Sequence, residues 1–213
     1  MIIRFICHWL EDLIRNISGP VGIRLRRFYY KRRLGGAGWG LVIDTGVHFE
    51  SPKDIYTGDR VWIDKNCIFI AGKIKPDGAK IIRISSAAGD SEGVIRIGSF
   101  SHVGIDTIIQ GHGGFTAGDY FTSSAGCRIY SFSNDYRKSL SGTMATPSSL
   151  PAYIMGPVHF GKNVWIGLGV SVISAAIGDN SFVLPHSVVY QPLESNSVAG
   201  GNPAVRTKNR FPE

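Results

Sequence analysis

A solenoid of triangular β coils is the fold class this sequence predicts, and three observations predict it. Every sixth residue is apolar along three runs, from Ile43 to Cys67, from Ile97 to Cys127 and from Val158 to Val188. All seventeen positions on this beat are apolar, although an α-helix repeats at about 3.6 residues and a plain strand at about 2. The spacers between beats are turn formers, such as Thr57-Gly58-Asp59-Arg60, Ala117-Gly118-Asp119-Tyr120 and Ile177-Gly178-Asp179-Asn180. Glycine tolerates positive φ, and Asn and Asp bond their own backbone. The composition, with 27 glycines and 43% hydrophobic residues, fits a tightly turned β protein. Each flat face takes about six residues and a full turn about eighteen, so the seventeen hexads make roughly six coils with the repeated apolar residue pointing inward.

A different kind of segment precedes the coils, over residues 1–40. It holds Arg4, Arg15, Arg24, Arg26, Arg27, Lys31, Arg32 and Arg33 against Glu11 and Asp12, which is +6 of the chain's net +7. Ile2, Phe5, Ile6, Trp9, Leu10, Leu13, Ile14 and Ile17 fall at helical spacing, and Gly19-Pro20 ends that helix. A basic aromatic stretch, Arg24 to Arg33, follows around Phe28, Tyr29 and Tyr30. This segment reads in two compatible ways. It caps the open end of the coil stack, hiding core and unpaired edges, and it is an interfacial segment suited to an anionic membrane or a lipid-phosphate-linked acceptor. Nucleic acid is not expected, because the charge is confined to one end and no nucleic-acid motif is present.

The coil domain is assigned to residues 41–213, with two interruptions of the beat at 73–96 and 133–157. Solenoids accept insertions at corners, where they often build a binding face. In the first, Lys80-Ile81-Ile82-Arg83-Ile84 and Val94-Ile95-Arg96-Ile97 are expected to pair as a hairpin. The second opens with Ser133-Asn134-Asp135-Tyr136-Arg137 and runs through Ser, Thr and Pro to Pro157. Cys67 and Cys127 lie on the beat and read as small buried hydrophobes. With Cys7 they give no paired framework, which points to a reducing, cytoplasmic compartment. No stretch reads as a membrane-spanning helix, and Arg4, Glu11, Asp12 and Arg15 interrupt any signal-peptide core.

The beat, the element Asn163-Val164-Trp165-Ile166-Gly167-Leu168-Gly169 and the ending Ala199-Gly200-Gly201-Asn202-Pro203-Ala204 resemble the hexapeptide-repeat acyltransferases over about residues 40–210. The resemblance implies a left-handed parallel β-helix, a homotrimer, and acyl transfer from acetyl-CoA bound between subunits. It makes the chain an O-acetyltransferase acting on a sugar hydroxyl in surface polysaccharide biosynthesis, with a free or lipid-linked saccharide as acceptor. The location it implies is cytoplasmic, at the inner face of the membrane if residues 1–33 touch lipid.

The family's catalytic histidine opens the second insertion. Here that place falls on Asn134 or Asp135, with the Tyr136-Arg137 match favouring Asp135. Histidine titrates near ~6.5 and aspartate near ~3.9, so a general base is weakened or lost, at a cost of about 10²–10⁴ in rate. His112, in Gln110-Gly111-His112-Gly113-Gly114, is the candidate replacement, eighteen residues before Tyr130; the competing reading is a corner residue bonded to local backbone. Tyr136 and Arg137 are expected to orient the acceptor. By the resemblance, Trp165, Gly167, Gly169 and Ser187 line the pantetheine path, Arg206, Lys208 and Arg210 meet the adenosine phosphates, and a backbone N–H near Gly167 serves the oxyanion. His186 occupies a place where the family is small, narrowing that path. The alternative function is a catalytically impaired or non-catalytic coenzyme A-binding homologue with a structural or regulatory role. No metal is expected, since no two histidines are closer than ten residues.

Overall fold

The computed structural model describes residues 2–74, 80–83, 91–134 and 152–212. Three parallel sheets form the walls of a prism. The first holds Gly36–Ala37, Ile55–Thr57, Ile95–Ile97, Phe115–Ala117, Val158–Phe160 and Ala176–Ile177. The second runs from Val42–Ile43 through Trp62–Ile63, His102–Val103, Thr122–Ser123, Trp165–Ile166 and Phe182–Val183 to Ser197–Gly201, and ends with the antiparallel strand Ala204–Asn209. The third stacks His48–Glu50, Ile68–Ile70, Ile108–Gln110, Arg128–Tyr130, Ser171–Ile173 and Val188–Val189.

Six strands in each of two walls give the six coils expected, but the coil length differs. Val42 pairs with Trp62 and His102 with Thr122, a step of twenty residues rather than about eighteen. The added two residues sit at one corner, between the third wall and the first. Each wall buries two residues, i and i+2, as with Val47 and Phe49, then Ile55 and Thr57. A six-residue step from Phe49 therefore lands on the first inward residue of the longer corner, Ile55, and the beat survives. It fails where Trp165 pairs with Phe182, a step of only seventeen. From there the buried residues are Ala175, Ile177, Val183 and Val189. Ala176, Phe182 and Val188, expected inside, are only part-buried. The other fourteen positions on the beat are buried. Phe115, Phe121 and Phe160 fill the prism's middle, with ring centroids 5.4–6.1 Å apart.

Both beat interruptions leave from that same long corner. The expected hairpin between 80–84 and 94–97 does not form. Lys80–Arg83 instead pairs in parallel with Ala152–Met155, which pairs antiparallel with Phe132–Asn134, while Ile95–Ile97 continues the first wall. The two insertions thus share one small sheet. Alternating apolar residues allowed either partner, and the corner they share decided between them.

The basic segment is two helices, α1 (Ile2–Asn16) and α2 (Gly19–Tyr30). Gly19-Pro20 separates them as expected, and Pro20 also opens α2 in its first turn, where a missing N–H costs nothing. They pack as a hairpin on the first coil. Gly22 permits the approach, since a Cβ there would lie 1.8 Å from the Ile17 carbonyl oxygen. Arg26 is fully buried. Its Nε donates to the Ile43 carbonyl at 2.9 Å, and one terminal nitrogen donates to those of Ile14 (2.9 Å) and Ile17 (2.6 Å). Tyr30 donates to Glu11 at 2.8 Å and stacks edge-on against Phe49, whose ring continues onto Phe69. The end of the core is closed by these side chains, as the capping reading expects.

Candidate functional site

The long corner carries the strongest constellation. In the third coil it is Gln110-Gly111-His112-Gly113-Gly114, and the two insertions leave the coils immediately before and after. Gly93 N–H donates to the His112 carbonyl at 2.9 Å, and Gly72 N–H to the Gly93 carbonyl at 2.7 Å. His112 Nδ1 lies 2.8 Å from the Gly72 carbonyl oxygen. A carbonyl only accepts, so Nδ1 carries the proton and the neutral ring's lone pair is on Nε2. Among the described residues Nε2 meets no hydrogen-bond partner. The ring stands edge-on to Phe132, which packs on Tyr153 at 4.8 Å across the shared sheet. This fixed, half-buried imidazole is the arrangement a general base requires, and the backbone-bonded reading of His112 is satisfied by its other nitrogen.

A polar cavity of about 370 Å³ lies beside it. Ser51, Lys53, Asp54, Lys73 and Glu92 line it together with Gly72 and Gly93, the two residues whose backbones hold His112. Glu92 is fixed by Arg83 at 2.6 Å, so the first insertion's strand supports this wall. No sequence signal marked Gly72, Phe132 or Tyr153, because a carbonyl and two packing rings act here through position alone.

Asn134 ends the strand Phe132–Asn134 opposite Tyr153, exposed and at the rim of the same corner. Asp135, Tyr136 and Arg137 lie outside the described residues. The residues expected to hold the coenzyme sit elsewhere, on the second wall and its corner with the third. Trp165 is half exposed, donates from Nε1 to Ser124 Oγ at 3.1 Å and leans on Phe182. Gly169 has φ +65° and its Cβ would meet the His186 ring at 2.7 Å, so His186 does crowd this corner. Gly167 N–H donates to Val183 and Gly169 N–H to Ala125, which leaves neither free for an oxyanion. Ser187 is buried in the prism, its Oγ accepting from Gly201 N–H at 3.1 Å.

Arg206, Lys208 and Arg210 lie on and after a strand rather than a loose tail. Arg206 pairs with Glu194 at 3.2 Å and Lys208 is exposed. Arg210 is used structurally, donating to the carbonyls of Asn163 (2.7 Å) and Ser181 (3.0 Å), and burial pulls its pKa below the ordinary range. Burial pushes the Cys67 thiol up to about 12 and Cys127 up to about 11, so both remain protonated and neither is a nucleophile. Another histidine, His102, is held by Asp64 at 2.9 Å on the outer face of the second wall, away from the insertions. Thus one chain places the candidate base and the candidate coenzyme residues on different edges of the prism, a full wall apart.

No family model matches the chain. Over 183 residues it is 28% identical to a dTDP-4-amino-4,6-dideoxy-D-glucose acyltransferase of Escherichia coli, covering 85% of this chain and 83% of that protein. A point variant of AntD, an N-acyltransferase from Bacillus cereus in complex with dTDP and coenzyme A, superposes with a TM-score of 0.71 at 23% identity, over 87% of this chain and 89% of that one. A hexapeptide-repeat acetyltransferase from Vibrio cholerae, complexed with acetyl coenzyme A, superposes with a TM-score of 0.57 at 22% identity, over 96% and 85% of the two chains. The fold is therefore the left-handed parallel β-helix of the hexapeptide-repeat proteins, and the chain has relatives named as sugar acyltransferases.

Proposed function

We propose that this chain transfers an acyl group, acetyl in the simplest case, from coenzyme A to a sugar hydroxyl, with His112 as general base. The observation that carries this reading is the imidazole tautomer: Nδ1–H is held on the Gly72 carbonyl, so the neutral ring's proton-accepting lone pair is on Nε2, which has no partner among the described residues. In the reaction, Nε2 takes the hydroxyl proton as the sugar oxygen attacks the thioester carbonyl. The carbon–sulfur bond then breaks, and the proton passes to the departing coenzyme A sulfur. The cavity beside His112 supplies Ser51, Asp54 and Glu92 for sugar hydroxyls and Lys53 and Lys73 for the phosphate of a nucleotide- or lipid-linked acceptor.

Trp165, Gly167 and Gly169 line the pantetheine path of a neighbouring copy, with Lys208 and Arg206 near the adenosine phosphates. Because one prism keeps base and coenzyme residues on separate edges, the working form is a homotrimer with the cleft between copies. Asp135 or Asn134, with Tyr136 and Arg137, contributes acceptor contacts from the second insertion. The setting that fits is cytoplasmic surface-polysaccharide synthesis, with residues 1–33 meeting the membrane.

A second reading has its own support. A relative that spans 85% of this chain is named for an amino sugar, and a neutral amine attacks a thioester with less need of a base than a hydroxyl does. That would account for the residue at 134–135 not being histidine. Acetyl-CoA turnover, followed by thiol release, on nucleotide-linked sugars with and without a free amine separates the two. A hydroxylamine-labile ester supports the hydroxyl reading and a stable amide the amine reading. Coenzyme A binding without transfer to any sugar overturns both and leaves a non-catalytic binding homologue.

A further inference from the structure

Over residues 9–30 the cap buries charge and exposes large apolar side chains. Among the described side chains of α1, Glu11 and Ile14 are turned to the body, while Trp9, Leu10 and Leu13 are exposed, Trp9 at 71%. On α2 the buried residues are Gly22, Arg26 and Tyr30, while Val21, Leu25 and Phe28 are exposed, Phe28 at 65%. A helix that only covered a core would turn its apolar stripe inward. Here the charged Glu11 and Arg26 are buried, Glu11 accepting from Tyr30 and Arg26 donating to backbone carbonyls from Nε and one terminal nitrogen, and large apolar side chains face out. Cations stand among them. Arg24, Arg27, Phe28, Lys31 and Arg32 enclose a shallow hollow of about 550 Å³, with the Arg32 guanidinium 3.7 Å above the Phe28 ring.

We infer that this hairpin is a docking face for an anionic lipid bilayer, which sets the prism end-on to the membrane. The apolar side chains enter the acyl boundary and the hollow takes a lipid phosphate. Charge selects this occupant. A second copy laid on the same face would set Arg24, Lys31 and Arg32 against their own counterparts, whereas an anionic surface neutralises them. The inference deepens the membrane contact in the proposed function by naming the lipid class and the inserted residues. It is independent of the acyl-transfer chemistry, which a soluble acceptor reports separately.

The test is flotation of the full chain with phosphatidylcholine vesicles, alone and with about one lipid in three replaced by phosphatidylserine. The chain should float with the anionic vesicles and remain with the soluble fraction for pure phosphatidylcholine. Each cation near such a surface is worth about 1 kcal/mol, so R24Q/K31Q/R32Q should weaken partition about a hundredfold. W9Q/L13Q/F28Q should abolish it, and because these side chains are exposed, both variants should keep the parent's melting temperature and acyl-transfer rate on a soluble acceptor. Absence of flotation with anionic vesicles overturns the inference. So does equal flotation with both vesicle types, or loss of self-association as the only effect of W9Q/L13Q/F28Q. Loss of transfer with flotation intact would count against the chemistry alone.

Discussion

Replacing Arg26 with methionine keeps an unbranched apolar stem and removes the guanidinium with every donor it carries. In the native cap Nε and one terminal nitrogen reach the Ile14, Ile17 and Ile43 carbonyls at 2.6–2.9 Å, with the Arg15 carbonyl at 3.3 Å, in a site closed to water where the other terminal nitrogen has no partner among the described residues. A hydrogen bond from a charged donor contributes about 1.5–3 kcal/mol, so three bonds amount to about 5–9 kcal/mol gross. Part of that is offset, because burying the guanidinium itself costs several kcal/mol. Burial indeed pulls its pKa down, against the raising influence of Asp44 and Tyr30. A net loss of about 3 kcal/mol follows. For a chain of this size about 2–4 °C accompanies each kcal/mol, so Arg26→Met should lower the calorimetric melting temperature by about 6–12 °C. Arg26→Lys, which keeps the charge but not the fork, should fall between. A shift below about 2 °C for the methionine variant would refute the claim that this side chain ties α1, α2 and the first coil together.

The phase slip after Val172 gives a paired prediction. Phe121→Ala, in the buried aromatic cluster, should cost about 3–5 kcal/mol by denaturant unfolding, whereas Phe182→Ala, on the beat but part-buried against Trp165, should cost about 1 kcal/mol. Gly169→Ala should lose about 1–2 kcal/mol for its left-handed φ, and more from the clash with His186, and coenzyme A affinity should fall with it if this corner lines the pantetheine path. The two buried thiols predict alkaline weakening. Their folded pKa values lie above the unfolded one, so the unfolded chain releases protons first, and stability is full below about pH 8.5 and falls towards pH 11 by about 1.4 kcal/mol per pH unit for each thiol. Unfolding titrated from pH 8 to 10, below the range where the buried Tyr30 phenol, also raised by burial, adds a slope of its own, checks this, and a Cys67→Ser/Cys127→Ser chain should lack the slope there.

The prism was legible because a coil repeats one requirement at fixed intervals: apolar at the inward positions, turn-forming at the corners. Even the unexpected coil length of twenty was concealed rather than contradicted, since paired inward residues let a six-residue beat cross an eight-residue corner. Ala175 was missed because a shorter corner moves the phase by one, and nothing in the composition of 173–177 marks it. Arg26 reads as one more surface charge in a basic run, and its burial depends on carbonyls brought from α1 and the first coil. The strand 80–83 had two apolar candidates within reach, and the remote one won. An eighteen-residue coil sets His112 below Tyr130, but the coil is twenty residues, Tyr130 pairs with Gln110, and the His112 ring meets Phe132 instead; its tautomer depends on the Gly72 carbonyl, forty residues earlier. The coenzyme residues were found by motif, and the motif did not reveal that Ser187 faces inward or that the Gly167 N–H belongs to the ladder.

The account's central claim is that His112 Nε2 accepts the acceptor's proton, and kcat/KM for acetyl transfer to a sugar hydroxyl, compared between the parent and His112→Ala chains, tests it most directly. His112→Ala should be lower by about 10²–10⁴ while coenzyme A binding is unchanged. A His112→Ala chain that keeps the parent's rate would contradict the claim and move the base elsewhere.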